Sequence, residues 1–104
     1  MRYQVWYMRP EFFGKGITGS AVPNPANLSA THVHLKDIEA EGIPAAYQAM
    51  QGEVWSPNGE ARELIQSKGL QHTSMSVGDV IIDDVGNVHV VATVGFKGIG
   101  GFRA

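Results

Sequence analysis

The stretch DVIIDDVGNVHVVATVGF, residues 79–96, most constrains the fold, because it joins two apolar, β-branched runs by a turn signal. Val80 to Asp83 is the first run and Val88 to Val94 the second, and both favour strands. Residues 84–87 lie between them, with Gly86 able to adopt the positive φ of a tight turn. The stretch therefore predicts an antiparallel β-hairpin.

The first residues of the chain, RYQVWYM from Arg2 to Met8, predict a strand that is apolar on both faces. Since both faces need cover, we expect this strand inside the sheet. THVHLKDI, residues 31–38, predicts a further strand with Val33 and Leu35 toward the core. Its other face, expected to point away from the core, carries His32, His34 and Lys36.

Two glycine-rich stretches predict irregular structure. Residues 14–29 hold three glycines and two prolines, which indicates a long loop. Residues 97–104, KGIGGFRA, are expected to form a flexible tail.

Two helices are predicted between the strands. The first helix is expected to begin at the sequence GIP, residues 42–44, since a helix tolerates proline in its first turn. Its apolar stripe has helical spacing and consists of Ile43, Tyr47, Met50 and Val54. The second is expected to begin with Ser56 as its N-cap and Pro57 next, with Asn58 as the alternative cap. Gly69 is the predicted stop.

The order of elements is strand, loop, strand, helix, helix and hairpin. This order predicts one α+β domain over residues 1–104, a mainly antiparallel sheet of about four strands with two helices packed on one face. A small barrel-like sheet is the alternative.

Composition narrows the class of protein. The 104 residues are 43% hydrophobic, which is enough for a single domain with a core. Cysteine is absent, which excludes disulfides and thiolate chemistry.

No apolar run approaches the roughly 20 residues that span a bilayer, and the N-terminus has no signal-peptide pattern. We expect a cytoplasmic protein without a membrane segment.

The net charge of −2 is unevenly distributed. Residues 1–36 carry four basic side chains against one acidic one, and residues 37–63 carry six acidic side chains against one arginine. Nucleic-acid binding normally needs a clustered basic face, and the first segment is a weak version of one. Ordinary solvated charge is the favoured interpretation.

The segment QHTSMSVGDV, residues 71–80, has the residue types of a hydrolase triad, with a histidine, two serines and an aspartate. These weak catalytic candidates are His72, Ser74, Ser76 and Asp79. A triad depends on geometry, however, and no nucleophile-elbow motif is present. The favoured interpretation is structural: Ser76 and Asp79 bond backbone amides, and Gly78 supplies a permissive backbone in a turn before the hairpin.

The chain also contains an H-x-H pair, His32 and His34, whose imidazoles would share one strand face. With His89 or His72 they could complete a three-histidine metal site. Lys36 continues the same row and would repel a cation. A polar strand face is therefore favoured, and no metal or other cofactor is predicted.

The junction between the two helices concentrates side chains typical of recognition sites. The binding candidates are Trp55, Ser56, Asn58 and Arg62. Tryptophan and arginine are frequent at binding hot spots. Helix capping with a packed tryptophan is an equally good explanation of the same residues.

Four segments, MRPEFF, MQGEVWSPNGEAR, HTSMSVGDV and VGF, resemble a family of small bacterial proteins of uncharacterised function, many of them associated with plasmids and integrative elements. The resemblance spans nearly the whole chain. More distantly, His72 to Val80 followed by Gly95-Phe96 is similar to YodL-type domains of conjugative-element and phage proteins. There Gly78 replaces a serine, and Thr73 is an extra residue. The resemblance implies an accessory role in mobile-element biology and supplies no reaction or ligand.

Together these observations predict a small, non-enzymatic binding or accessory module with a protein or nucleic-acid partner; they leave the oligomeric state open, with a monomer as the default. The alternative is a small enzyme or metal-binding protein that uses the His/Ser/Asp cluster.

Overall fold

The N-terminal strand lies inside the sheet, as its two apolar faces predict. The computed structural model describes residues 1–12 and 24–101. Strand β1 (Arg2–Met8) pairs antiparallel with β2 (His32–Glu39) on one side and with β3 (Val80–Ile82) on the other. Pairing on both sides explains why β1 is almost entirely buried.

The C-terminal half of the sheet is a meander. From β3 the chain turns at Gly86, which has a φ of 89°, into β4 (Asn87–Val91), so the predicted hairpin is confirmed. A fifth strand, β5 (Phe96–Gly101), pairs antiparallel with β4. The sheet therefore has five strands in the order β2-β1-β3-β4-β5, all antiparallel.

The predictions of about four strands and of a flexible tail over residues 97–104 are corrected by β5. Glycine is depleted in strands, so local propensity hides this one, and pairing with β4 creates it. Residues 102–104 lie outside the described part of the chain. The second hairpin arm is also shorter than predicted, because it ends at Val91 and not at Val94.

A bulge in β2 changes which of its side chains face the core. The register of β1 against β2 shifts after Val5, and Leu35 is the extra residue. Leu35 is buried as predicted, but His32 is also fully buried. The Nζ of Lys36 lies 5.0 Å from the centre of the Trp55 ring. The prediction that His32, His34 and Lys36 all point away from the core is therefore wrong. Residue alternation does not reveal the bulge, which turns Lys36 to the face of Val5, and it does not reveal that the Gly78 carbonyl covers His32.

Three short helices, rather than two, follow β2. Helix α1 (Ile43–Ala49) begins as predicted, with Gly42 as N-cap and proline in the first turn. The chain leaves the helical conformation at Gln51, whose ψ is 141°, before the single turn of α2 (Gly52–Trp55). That break rotates Val54 out of the predicted apolar stripe, and 52% of the Val54 surface is exposed.

Helix α3 (Arg62–Ser67) begins later than predicted, with Ala61 in the capping position. Ser56 is not its N-cap and neither is Asn58. The Ser56 Oγ instead accepts a hydrogen bond from the Ala61 amide at 2.8 Å and closes the turn that precedes the helix. The predicted stop is confirmed, since Gly69 has a φ of 73°.

Two apolar clusters fill the two sides of the sheet. The larger joins buried residues of α1, of its C-cap and of α3 to β1 and β3, among them Ala46, Met50, Ile65, Val5, Tyr7 and Ile81. The smaller joins Trp6, Leu28, Val80, Ile82 and Val88. A short 3-10 turn at Pro10–Phe12 precedes the predicted loop of residues 14–29, and a second one at Leu28–Ala30 includes its last two residues. Most of the predicted loop lies outside the described residues.

Candidate functional site

The loop between α3 and β3, residues 70–79, is organised around the carboxylate of Asp79, which is fully buried. Its Oδ1 accepts from the Met8 amide and its Oδ2 from the Ser76 amide, both at 2.8 Å. The His72 Nε2 lies 2.8 Å from the same Oδ2 and is its third donor. A buried carboxylate needs such partners, so Asp79 ties the loop to β1.

The His72 ring is held from a second direction by Tyr7. The two rings stack with centroids 4.5 Å apart and planes 13° from parallel. The Tyr7 hydroxyl donates to the Thr73 carbonyl at 2.7 Å. Burial, and secondly the nearby Asp79 charge, raises the pKa of Tyr7 well above its ordinary range, so the phenol remains a donor.

Both serines of the segment bind backbone groups. The Ser74 Oγ accepts from the Gly52 amide at 2.7 Å, and the Ser76 Oγ donates to the Ser74 carbonyl at 3.1 Å. The Gly78 φ of 97° supplies the predicted permissive conformation. Histidine and aspartate of the catalytic hypothesis thus come together, while the two hydroxyls support the path of the loop and its junction with α2.

The three metal-candidate histidines have separate partners. The buried His32 lies between the Thr31 hydroxyl and the Gly78 carbonyl. Its Nδ1 is 2.7 Å from the Thr31 hydroxyl oxygen, and its Nε2 is 2.7 Å from the Gly78 carbonyl oxygen. The His34 Nε2 lies 2.7 Å from Asp37, and the His89 Nε2 lies 3.1 Å from Asp83. Within residues 1–12 and 24–101, no three histidine or carboxylate side chains are grouped so that they could hold a metal ion.

A surface cleft of about 500 Å³ lies between α3 and the segment that follows it. We call it the Arg62 cleft and define it by its polar lining residues, Ser56, Arg62, Gln66, Gln71 and Thr73. The side chains of Ile65 and Leu70, which are almost fully buried, add an apolar part to the lining. Two of the four predicted binding residues, Ser56 and Arg62, therefore line one cleft.

The other two predicted binding residues lie outside it. The Trp55 Nε1 donates to the Thr73 carbonyl at 3.1 Å, and its ring carries the Lys36 ammonium on one face. The tryptophan is thus a packed structural residue that also contacts a cation. Asn58 is exposed, and its backbone amide donates to the Glu60 carboxylate.

The Arg62 cleft has unused hydrogen-bonding capacity. Within the described part of the chain, the side chains of Arg62, Gln66 and Gln71 form no hydrogen bond or ion pair with other residues. Gln66 and Gln71 were missed in the sequence, because isolated glutamines on a polar helix face and in a loop carry no signal. Only the meeting of α3 with the following loop brings them beside Arg62.

A second cleft, of about 390 Å³, lies on another part of the molecule. We call it the Phe96 cleft and define it by Pro44, Tyr47, Val77, Val91 and Phe96. The rings of Tyr47 and Phe96 meet edge to face, with centroids 5.8 Å apart. No charged residue is among the described residues that line it.

Comparisons with known proteins supply no assignment for either cleft. No family model, curated protein or solved structure matches this chain. In the part of the chain that the structure describes, no helix is long and apolar enough to cross a membrane.

Proposed function

We propose that this chain is a non-enzymatic binding module that recognises a partner protein through the Arg62 cleft. The observation that supports this proposal is the unused hydrogen-bonding capacity of Arg62, Gln66 and Gln71 around a partly apolar lining. Binding sites commonly combine an apolar surface with a few convergent polar groups.

The charge around the cleft favours a protein over a nucleic acid. Glu53, Glu60 and Glu63 are exposed on the same short segments, and residues 37–63 carry six acidic side chains against the single Arg62. A polyphosphate backbone would be repelled by this surface, because nucleic-acid affinity depends on many cationic contacts. One arginine flanked by neutral amides suits a single carboxylate of a partner protein.

The accessory role in mobile-element biology remains part of the proposal. It depends on the resemblance of the HTSMSVGDV segment and its neighbours, and a binding module is the kind of protein that such a role requires. The partner is then expected among proteins of the native host or of the element itself.

The test compares two charge-reversing variants, one at the first residue of α3 and one at its C-cap. Arg62→Glu reverses the charge inside the cleft, and Lys68→Glu reverses an exposed charge at the end of α3 that does not line it. Each folded protein is immobilised, and partners are captured from a native host lysate. We expect one partner to be retained by the wild type and by Lys68→Glu, and lost with Arg62→Glu.

Two results would contradict the proposal. One is equal retention of the partner by both variants, which would place recognition elsewhere. The other is retention of nucleic acid that disappears as salt is raised, which would favour the other partner class.

The alternative is a small enzyme or metal-binding protein, and one observation favours it. The buried Asp79 holds the His72 imidazole at 2.8 Å, and 18% of the His72 side chain is exposed. A carboxylate that orients an imidazole is a common catalytic arrangement. Metal analysis and a thermal-shift screen with divalent ions and metabolites test it. Stabilisation that is lost in His72→Gln would support this alternative.

A further inference from the structure

The turn between α2 and α3 contains a chemically reactive pair, Asn58-Gly59. The Gly59 amide donates to the Ser56 carbonyl at 3.2 Å and closes the turn. Asn58 is exposed, and its hydrogen bond to Glu60 comes from its backbone amide. Within the described part of the chain the Asn58 side chain forms no hydrogen bond. The carboxamide can therefore turn toward the backbone nitrogen that follows it.

The residue after Asn58 is the one that hinders this approach least. Ring closure brings the Asn58 Cγ to the next backbone nitrogen, and a side chain on that residue would obstruct it, whereas Gly59 has none. Of the four asparagines in the chain, Asn58 alone precedes a glycine. Asn24 precedes a proline, whose nitrogen carries no proton, and the other two precede the buried side chains Leu28 and Val88.

The reaction needs only water. The Gly59 nitrogen loses its proton and attacks the Asn58 Cγ, so an N–Cγ bond forms while the Cγ–Nδ2 bond breaks. Nδ2 takes up a proton and leaves as ammonia. Water then opens the cyclic imide at the side-chain carbonyl, which yields aspartate, or at the backbone carbonyl, which yields isoaspartate with a longer main chain. Either product carries a new carboxylate.

The new carboxylate would arise beside Arg62. Gly59 lines the Arg62 cleft, and a Cβ on Gly59 would lie 3.6 Å from a guanidinium nitrogen of Arg62. The Arg62 amide also donates to the Gly59 carbonyl at 3.1 Å. Because the guanidinium forms no ion pair with any other described residue, it can accept a carboxylate that forms in the preceding turn.

We propose that Asn58 deamidates spontaneously and that the carboxylate of the product pairs with Arg62, so that ageing of the protein weakens the binding of a partner's carboxylate in the Arg62 cleft. The effect on partner binding rests on the proposed function, whereas the reaction and the new ion pair do not. Arg62 is the only cationic residue among the described residues that line the cleft, so its pairing would remove that charge from recognition.

The reaction is tested by incubating the full chain in mildly alkaline buffer and mapping its tryptic peptides by mass spectrometry. Cleavage after lysine and arginine puts Asn58 in the peptide of residues 37–62, apart from the other three asparagines. We expect this peptide to gain the mass that separates an acid from an amide, and to gain it faster as the pH rises, because the Gly59 nitrogen must lose a proton. The peptides of the other asparagines are controls within the same sample.

The ion pair is tested with two variants, Asn58→Asp, which carries the carboxylate, and Asn58→Gln, whose longer neutral side chain closes the ring poorly. In an NMR pH titration, the Arg62 Nε–H signal should shift more in Asn58→Asp than in Asn58→Gln. In partner capture, Asn58→Asp should raise the dissociation constant about tenfold, because an internal carboxylate competes with that of the partner. Asn58→Gln should bind like the wild type.

Each part of the proposal has an outcome that would overturn it. An unchanged mass of residues 37–62, or an equal gain in the other peptides, would contradict deamidation at Asn58. Equal titration shifts in the two variants would contradict the ion pair, and equal partner capture would contradict the effect on binding. A wild type that retains no Arg62-dependent partner would refute the proposed function and the effect on binding with it, while the mass and NMR results would still decide the modification. A thermal melt checks that each variant is folded.

Discussion

The loop of residues 70–79 and the Arg62 cleft are neighbours that use polar side chains in opposite ways. In the loop, Asp79, Ser74 and Ser76 are committed to backbone amides or carbonyls. In the cleft, the side chains of Arg62 and Gln66 form no such bonds within the described residues. Thr73 belongs to both, because its carbonyl supports the loop while the residue lines the cleft.

The difference shows that polar residue types alone do not distinguish a functional site from an internal framework. Histidine, serine and aspartate in one short segment suggest catalysis, yet in this chain they mainly fix a loop to the sheet. Buried polar groups need partners, so a conspicuous polar cluster is often an internal framework. The following predictions test this contrast through stability, from the largest expected loss to the smallest.

Asp79→Ala is expected to have the largest effect. It leaves the amides of Met8 and Ser76, as well as His72, without their buried acceptor, which should lower the free energy of unfolding by about 3–5 kcal/mol. Urea titration measures this loss. Asp84→Ala, at an exposed turn residue, is the control and should change stability by less than about 0.5 kcal/mol. Equal stability of the two variants would refute the role assigned to Asp79.

Gly78→Ala is expected to lower stability by about 2–3 kcal/mol, because it adds backbone strain and a steric contact. Gly78 has a φ of 97°, and a Cβ there would lie 2.7 Å from the Cε of the buried Met8. Gly69→Ala isolates the backbone effect, since Gly69 has a φ of 73° and open space around it. It should lose only about 1 kcal/mol. Thermal and urea unfolding of both variants would show whether the Met8 contact matters.

Ser74→Ala should lower stability by about 1 kcal/mol, because the Gly52 amide loses its side-chain acceptor. Ser67→Ala removes an exposed hydroxyl bond on α3 and is the matched control, with an expected change below about 0.5 kcal/mol. A loss of an enzymatic activity in Ser74→Ala, without any loss of stability, would instead support the catalytic interpretation.

The pH dependence of stability tests the loop through His32, whose Nε2 lies beside the Gly78 carbonyl. Burial, opposed by that hydrogen bond, lowers the pKa of His32 below its ordinary value of 6.5. Below that pH the unfolded chain binds more protons than the folded one, so this residue's contribution to stability falls as the pH drops below 6.5. Urea midpoints at neutral and mildly acidic pH should differ less in His32→Gln than in the wild type.

Arg62→Ala and Gln66→Ala are expected to have the smallest effect on stability, below about 0.5 kcal/mol, because neither side chain bonds another described residue. Their effect should appear in partner binding alone. A large loss of stability in either variant, measured by the same urea titration, would show that the cleft belongs to the framework and would remove the contrast between the two regions.

The parts of the fold that were predictable have strong local patterns. The run of apolar residues in β1 predicted where the strand begins and ends and that it lies inside the sheet. The turn signal at Gly86 predicted the hairpin. Helix α1 was predictable from its first-turn proline. In each case the local preference and the tertiary environment agree.

The errors arise where tertiary pairing overrides the local pattern. Strand β5 is glycine-rich and exists because β4 pairs with it. The bulge in β2 turns Lys36 to the other face, and His32 is buried because Thr31 and the Gly78 carbonyl cover it; alternation encodes neither. Of the candidate site, Ser56 and Arg62 were identified by residue type, but Gln66 and Gln71 become neighbours of Arg62 only through the packing of α3 against the next segment.

The position of β1 between β2 and β3 has a consequence for how the chain folds. β1 can pair with β2 as soon as residues 1–39 are available. Its other edge stays unpaired until β3 is added to the sheet. The Met8 amide and the Asp79 carboxylate that it meets are 71 residues apart. Closing so long a loop is entropically slow, so we expect the β3–β5 meander to form first and its docking onto β1 to limit the folding rate. During synthesis, β1 would leave the ribosome before β3 and would keep one open edge until β3 has also emerged.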